Sequence, residues 1–63
     1  MPQIEVELLK GRTLDQRREF VLAVTAAAVD LLGAAPENVR IRFVELEPHD
    51  LARAGVLGGD EAK

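Results

Sequence analysis

QIEVELLKGRTLDQ, residues 3–16, is the stretch that decides the fold, because a strand pattern passes there directly into a helix-start signal. Apolar and polar residues alternate over Gln3–Leu9, which predicts a strand with one face toward a core. Thr13 and Gln16 follow with the spacing of a capping box, in which each side chain bonds the other residue's backbone N–H. A helix is therefore predicted to begin at Leu14.

The rest of the chain extends this start into a β-α-β unit. The helix is predicted to end near Leu32, because Gly33 can adopt the left-handed conformation that closes a helix and Pro36 prevents its continuation. A second alternating segment, Val39–Leu46, predicts a second strand. Two strands joined in this way are expected to be parallel with a right-handed crossover, and the glycine-rich residues 49–59 are expected to form a hairpin. The predicted fold class is α/β, a single β-α-β unit with parallel strands plus a short C-terminal hairpin.

Residues 1–63 are expected to form one domain that is too small to be stable alone. The chain has no Cys and a single His, so neither a disulfide nor a structural zinc site can support its small core. The helix carries apolar residues on two sides, which predicts self-association. The stripe expected to cover the sheet contains Phe20, Val21, Val24, Ala27, Ala28, Leu31 and Leu32, and the patch expected to face another subunit contains Leu22, Ala26 and Val29. The last residues, Asp60–Lys63, are expected to be a frayed end.

Charge and hydropathy exclude several classes of partner. Eight basic and eleven acidic residues give a formal charge of −3, and no basic run could neutralise a row of phosphates, so nucleic acid is not an expected partner. No apolar stretch approaches the ~20 residues that span a bilayer, and no basic segment followed by an apolar one marks a signal peptide. We therefore expect a cytoplasmic protein without a membrane partner.

Ordinary catalytic groups are scarce, since the sequence has no Ser, no Cys and no Tyr. Glu45 and Glu47 could form a carboxylate pair, although a solvated sheet edge explains them better, and His49 fits a turn. Pro2 is different, because removal of Met1 would leave a secondary amine with a reference pKa of about 7.7–8.0. A low-dielectric pocket with nearby cations would disfavour its protonated form further, so that the amine could act as a base. With Met1 retained, the Pro2 nitrogen is an amide without a basic lone pair.

Two arginines are candidate carboxylate ligands, since a guanidinium can bind a carboxylate through two parallel hydrogen bonds. Arg12 lies in the loop after the first strand, and Arg40 lies near the start of the second. These arginines occur together with Pro2, the segment LKGRT at 9–13, a helix of about five turns and the C-terminal hairpin. In this combination the chain resembles the 4-oxalocrotonate tautomerase family over nearly its whole length. The most specific elements are the Pro after Met and the leucine-x-glycine-arginine segment at its distance from that Pro.

The resemblance implies a keto–enol isomerase that needs neither a metal nor an organic cofactor, with a role in aromatic compound catabolism. Pro2 would be the general base for a small enol or 2-hydroxy-dienoate acid. Arg12 would bind one carboxylate of this substrate. Arg40, from a neighbouring subunit, would bind the other carboxylate or polarise the carbonyl group. The implied assembly is a homohexamer built as a trimer of dimers. The positions assigned to substrate binding are Leu9, Asn38, Leu51 and Arg53.

Two departures from the family pattern leave alternatives open. Leu51 replaces an aromatic residue, which makes the apolar wall near the amine smaller. Arg53 replaces a small or apolar residue, which adds a cation that can change the preferred acid. The chain could therefore be a related proline-dependent enzyme with a different substrate. It could also be a non-catalytic oligomeric assembly module of the same fold, in which the arginines are structural.

Overall fold

The computed structural model describes residues 1–60 of the 63-residue chain, and it confirms the predicted order of elements. The elements are β1 (Gln3–Leu9), α1 (Leu14–Leu32), β2 (Arg40–Leu46), β3 (Ala52–Arg53) and β4 (Val56–Leu57), with 3-10 turns at Pro36–Asn38 and Pro48–Asp50. The second strand begins one residue later than predicted, because the N–H of Val39 donates to Pro36 O (3.1 Å) and closes the first 3-10 turn. Of the predicted frayed end, residues 61–63 lie outside the described part, whereas the N–H of Asp60 donates to Leu57 O (3.0 Å).

β1 and β2 form a two-stranded parallel sheet, as predicted. The register pairs Leu9 with Leu46 at one end, and at the other end the N–H of Arg40 donates to Pro2 O (3.1 Å). Alternate side chains of both strands are half-buried on the face toward α1, and most of those between them are exposed. The alternation predicted from sequence is thus observed, because one helix layer covers only one face of the sheet.

Both ends of α1 carry the predicted caps. The N–H of Gln16 donates to Thr13 Oγ1 (3.1 Å), and the N–H of Thr13 donates to Gln16 Oε1 (2.8 Å), which completes the capping box. At the other end Gly33 has a φ of +68°, and its N–H donates to Ala28 O. These contacts satisfy backbone groups that a helix end otherwise leaves without partners. The helix boundaries predicted from sequence therefore agree with the structure.

The face that α1 turns toward the sheet differs in part from the predicted stripe. Leu31 and Leu32 are 81% and 70% exposed, because a helix of 19 residues extends beyond strands of seven. Val29 is half-buried and follows Thr25 by one turn, so it belongs to the sheet-facing side rather than to the predicted outer patch. The buried and half-buried residues of the helix are Arg17, Val21, Val24, Thr25, Ala28 and Val29. Phe20 is 41% exposed but contacts the sheet as predicted, with its ring centre 5.9 Å from that of Phe43. Ala27, also predicted to cover the sheet, is exposed.

A single copy of the chain leaves much of its apolar surface open. Ala28, at 5% exposure, is the one buried residue in the described part, and Leu22 and Leu31 are largely exposed. The accessible surface is 5079 Å², whereas about 4,000 Å² is typical of a compact monomer of 6.9 kDa. The Cα atoms span 14 Å in the thinnest direction, which is the depth of one helix on one sheet. Within residues 1–60, no helix combines the length and hydropathy needed to cross a bilayer.

The predicted C-terminal hairpin is formed by β3 and β4, in which Arg53 lies opposite Val56 and Ala52 lies opposite Leu57. Its two-residue turn, Ala54-Gly55, has φ angles of +53° and +80°. Positive φ at both central positions is typical of a type I′ turn, whose twist matches that of the two strands. The turn therefore fixes the register of this short hairpin.

Gly58 attaches the hairpin to the 3-10 turn that precedes it. Its N–H donates to Leu51 O (2.8 Å), and a Cβ atom at this position would lie 1.8 Å from Pro48 O. Only a residue without a side chain allows the two backbone segments to approach this closely. Leu51 and the hairpin consequently have defined positions relative to Pro48.

Candidate active site

Pro2, Asn38 and Arg40 lie together at the end of the sheet where β1 and β2 begin. Pro2 is half-buried, and its carbonyl oxygen accepts the Arg40 N–H at 3.1 Å. Asn38 ends the first 3-10 turn two residues before Arg40, and its N–H donates to Ala35 O (2.9 Å). A terminal residue that is tied into a strand ladder has a defined position. The Pro2 nitrogen is therefore fixed next to the first residue of β2.

Leu9 and Arg12 lie at the opposite end, where β1 passes into the loop before α1. Nη1 of Arg12 donates to Leu9 O (3.2 Å), so the guanidinium folds back onto the end of the strand. Gly11 has a φ of +122°, a conformation that favours glycine and lets the chain reverse here. Lys10 Nζ lies 2.9 Å from Glu47 Oε1, which ties the loop to the residue that follows β2. The loop thus holds Arg12 close to the last residue of β1.

An open groove joins this end of β1 to the C-terminal hairpin. It brings together Leu9, Leu51 and Arg53, which are three of the four residues predicted to bind substrate. The remaining lining residues are Pro48, Ala52, Val56 and Gly58. A mostly apolar lining with one guanidinium suits a small acid whose hydrocarbon part contacts the leucines. Asn38, the fourth predicted binding residue, lies at the other end of the sheet.

The predicted site residues therefore form two groups within one chain. β1 has seven residues, and a strand rises about 3.3 Å per residue, so the two groups lie roughly 20 Å apart. Pro2, Asn38 and Arg40 form one group. Leu9 and Arg12 belong to the other, together with the hairpin residues of the groove. A small acid cannot contact both groups of the same chain.

The charge pattern distinguishes the predicted anion-binding arginines from the other cations. Four cations each lie within 3.8 Å of a carboxylate. The pairs are Lys10 with Glu47, Arg17 with Glu45, Arg18 with Asp15, and Arg42 with Glu5. In contrast, Arg12, Arg40 and Arg53 have no carboxylate partner among residues 1–60, and all three are exposed. A guanidinium without a carboxylate partner can bind an external carboxylate without first losing an ion pair.

Arg17 has a structural role that sequence reasoning did not identify. Its guanidinium carbon lies 5.0 Å from the centre of the Phe43 ring, and its Nη2 lies 2.5 Å from Glu45 Oε2. A cation over an aromatic face is favourable, most of all when it is partly shielded from water. Glu47 pairs with a different cation, so the two glutamates are held in separate ion pairs and do not form a carboxylate pair.

Pro48 and Gly58 were not predicted as site residues, although both line the groove. The sequence signal for them was the glycine pair after the hairpin, but only the folded chain shows that Gly58 packs on the backbone of Pro48. His49 lies in the 3-10 turn beside them, as its turn interpretation expects. The described residues contain no group of three or more potential metal ligands placed to hold an ion.

Comparison with known proteins identifies the class to which this fold and site belong. The family model described as tautomerase enzyme matches residues 2–61. The chain therefore belongs to the tautomerase family, within the group of 4-oxalocrotonate tautomerases. It is 36% identical over 55 residues to the 2-hydroxymuconate tautomerase of Bacillus subtilis, covering 87% of this chain and 89% of that protein. It is also 39% identical over 56 residues to a probable tautomerase of Ralstonia nicotianae, covering 89% of this chain and 80% of that protein.

Solved structures of this group have the same fold. A 4-oxalocrotonate tautomerase homologue superposes with a TM-score of 0.86 at 38% identity and covers 97% of both chains. A 4-oxalocrotonate tautomerase isozyme from Methylibium petroleiphilum gives a TM-score of 0.85 at 29% identity, with 98% of this chain and 100% of that chain covered. The β-α-β unit with parallel strands and a short hairpin is thus the fold of the group, and family membership supports an isomerase activity of the tautomerase type.

Proposed function

We propose that the protein is a cofactor-independent tautomerase that acts on a small enol or 2-hydroxy-dienoate acid. The observation that carries this proposal is the position of the guanidinium groups that lack a carboxylate partner in the described part of the chain. Arg12, Arg40 and Arg53 have no carboxylate partner within residues 1–60, and they lie at the sheet end next to Pro2 or beside the apolar groove. Cations free to bind an anion, close to an amine and an apolar wall, suit an acid with a hydrocarbon body.

The proposed reaction moves one proton from oxygen to carbon. After removal of Met1, the Pro2 amine takes the proton of the enol hydroxyl. The electrons of that O–H bond form the carbonyl, the conjugated double bonds shift, and a carbon of the substrate takes the proton back from the prolinium N–H. Arg40, contributed by a neighbouring subunit, would stabilise negative charge on the reacting oxygen or its neighbouring carboxylate. Arg12 would hold the other end of the substrate.

A second copy of the chain would complete this site. The two groups of residues lie at opposite ends of β1, and among residues 1–60 no second strand pairs with the other edge of β1. Antiparallel pairing of two β1 edges would bring Pro2 of one copy beside Leu9 and Arg12 of the other, and it would satisfy unpaired backbone groups. The exposed apolar side chains of α1 support such an assembly, which we propose to be a homohexamer built as a trimer of dimers.

The test of the base isolates the Pro2 nitrogen from the Pro2 side chain. Mass spectrometry of the purified protein first establishes whether Met1 is absent. Ketonisation of 2-hydroxymuconate is then followed by ultraviolet absorbance for the mature chain and for a chain with a short N-terminal extension, which keeps Pro2 but makes its nitrogen an amide. We expect the extension to lower kcat by about 10²–10⁴-fold, the usual contribution of a general base. Equal rates for the two chains would refute the role of Pro2.

Variants of the arginines test the anion-binding part of the proposal. Arg12→Ala and Arg40→Ala are expected to lower kcat/KM strongly. Arg18→Ala serves as the matched control, because Arg18 pairs with Asp15 on the exposed surface of α1. Pro2→Ala retains a primary amine and should lose less activity than the extended chain; full activity in Pro2→Ala would contradict the need for a secondary amine.

The alternative of a non-catalytic assembly module makes different predictions. Leu51 in place of an aromatic residue gives this alternative its support, since the apolar wall of the groove is small and Leu51 is 45% exposed. In such a module no enol acid would be turned over, and Arg40→Ala would change the sedimentation coefficient of the assembly. Turnover of an enol acid by the mature chain would exclude the assembly module. A related enzyme with another substrate would show turnover only with a different acid.

A further inference from the structure

Arg53 occupies a distinctive position, because it lines the groove and its guanidinium has no carboxylate partner in the described part of the chain. It lies in β3 opposite Val56, and it lines the groove with Leu9 and Leu51. Within residues 1–60 its side chain has no carboxylate partner. A surface arginine with only a solubilising role needs no such surroundings, whereas a guanidinium beside two leucines can hold the charged end of a bound acid.

The backbone that carries Arg53 is held at several points. The Ala54-Gly55 turn fixes the hairpin register, and Gly58 donates to Leu51 O at 2.8 Å. The N–H of Leu51 in turn donates to Pro48 O (3.2 Å). A charged group on a braced strand loses less conformational freedom on binding than one on a mobile loop. The hairpin therefore gives the backbone of Arg53 a defined position relative to Leu51.

Arg12 contacts the backbone of a groove residue, although its own side chain lines a separate pocket between the sheet and α1. Its Nη1 donates to the carbonyl oxygen of Leu9, the residue that lines the groove with Arg53. Like Arg53, Arg12 has no carboxylate partner among the described residues. A carboxylate in the groove would interact favourably with the Arg53 guanidinium, whereas an uncharged ligand end would leave its positive charge uncompensated.

We propose that Arg53 is a specificity-determining residue, which selects acids by the negative charge at the end remote from the Pro2 amine. The inference deepens the proposed function and depends on the groove being its substrate site. A cation at this position adds to the selection made by Arg12. It favours a ligand that carries a second carboxylate over an otherwise similar ligand that lacks one.

The test compares two six-carbon diene acids that differ by one carboxylate. Muconate carries a carboxylate at each end, and sorbate carries one and a methyl group. Their dissociation constants are measured by calorimetry at fixed ionic strength with the unmodified chain, Arg53→Gln, Arg53→Lys and Arg18→Gln. We expect Arg53→Gln to reduce the preference for muconate over sorbate by about tenfold, the effect of one lost charge-assisted hydrogen bond. Sorbate affinity should be unchanged, Arg53→Lys should keep most of the preference, and Arg18→Gln, with the same change in net charge, should keep all of it.

Several outcomes would overturn the inference. These are an unchanged preference in Arg53→Gln, equal weakening of both ligands, and no measurable binding of muconate to the unmodified chain. The result is separate from that of the proposed function, because neither ligand has an enol to ketonise. An Arg53-dependent preference without turnover of 2-hydroxymuconate would refute the tautomerase proposal alone, and turnover without such a preference would refute the role of Arg53 alone.

Discussion

Substitution of Gly58 by alanine is expected to release the C-terminal hairpin while leaving the β-α-β unit folded. A Cβ atom at this position would lie 1.8 Å from Pro48 O and 2.6 Å from Pro48 C, both of them backbone atoms. The two backbone segments must therefore separate by more than about 1 Å, since carbon atoms do not approach an oxygen this closely. The hydrogen bond from residue 58 to Leu51 O (2.8 Å) would be lost in the process.

The magnitude follows from these two contributions. Loss of one backbone hydrogen bond costs about 1 kcal/mol, and forced overpacking costs about 1–3 kcal/mol. Local movement of the backbone relieves part of the steric strain and so reduces the total cost. We therefore expect the free energy of local opening to fall by about 2 kcal/mol. This corresponds to roughly 30-fold faster amide exchange in the hairpin. The reporter is the N–H of Asp60, which donates to Leu57 O and is chemically unchanged by the substitution.

Hydrogen exchange followed by NMR measures this effect residue by residue. Amides of α1 should keep their protection, which shows that the effect is local. Ala54→Gly is the matched control in the same hairpin, because it removes a methyl group at a φ of +53°, where glycine is favoured. Exchange at Asp60 should then be unchanged or slower. Unaltered exchange at Asp60 in Gly58→Ala would show that the close approach of Gly58 to Pro48 does not hold the hairpin.

Three further measurements test other parts of the molecule. Thr13→Ala should lower the free energy of unfolding by about 1 kcal/mol through loss of the helix cap, measured by urea denaturation at a fixed protein concentration, and Thr13→Ser should retain it. Arg17→Met should cost about 1–2 kcal/mol in the same assay, because it removes the ion pair to Glu45 and the stacking on Phe43; equal stability would show that burial of the stem alone matters. If the Pro2 amine is the base, kcat/KM should rise tenfold per pH unit below the amine pKa and become constant above it, since only the unprotonated amine accepts a proton. A value of kcat/KM that falls as the pH rises over this range would contradict the mechanism.

The parts of the fold that could be predicted from sequence are those fixed by local signals. β1 is bounded by its own alternation, and α1 by Thr13 at one end and Gly33 at the other, because a capping residue satisfies backbone groups within a few positions of itself. The start of β2 was one residue off, because the 3-10 turn takes up Val39. Local hydrogen bonds determine these boundaries, so a single sequence contains enough information for them.

The parts that sequence could not supply depend on dimensions of the folded chain. The stripe on α1 was predicted too long because its overlap with the sheet depends on strand length, and Leu31 lies beyond that overlap. The packing of Gly58 on Pro48 depends on where the hairpin docks. Residue types alone suggested Pro2, Arg12 and Arg40 as one site, whereas their separation along β1 is a property of the folded strand.

This separation leads to a prediction about mixed assemblies. Suppose that each site takes Pro2 from one copy and Arg12 from its partner across a twofold axis. A dimer of one N-terminally extended chain and one Arg12→Ala chain then contains one site with both residues intact and one site with neither. Random mixing of equal amounts makes half of the dimers mixed, so about a quarter of all sites should be active.

The measurement starts from two inactive preparations, which are unfolded together in urea and refolded by dilution. Recovery of about a quarter of the mature chain's activity per subunit would show that the site is shared. The control is the same mixture combined without unfolding, which should stay inactive if exchange of subunits is slow. No recovery after refolding, with normal assembly by sedimentation, would show that Pro2 and Arg12 do not meet across this interface. The roughly 20 Å between the two ends of β1 would then require either a different pairing of copies or a reaction that uses only one end.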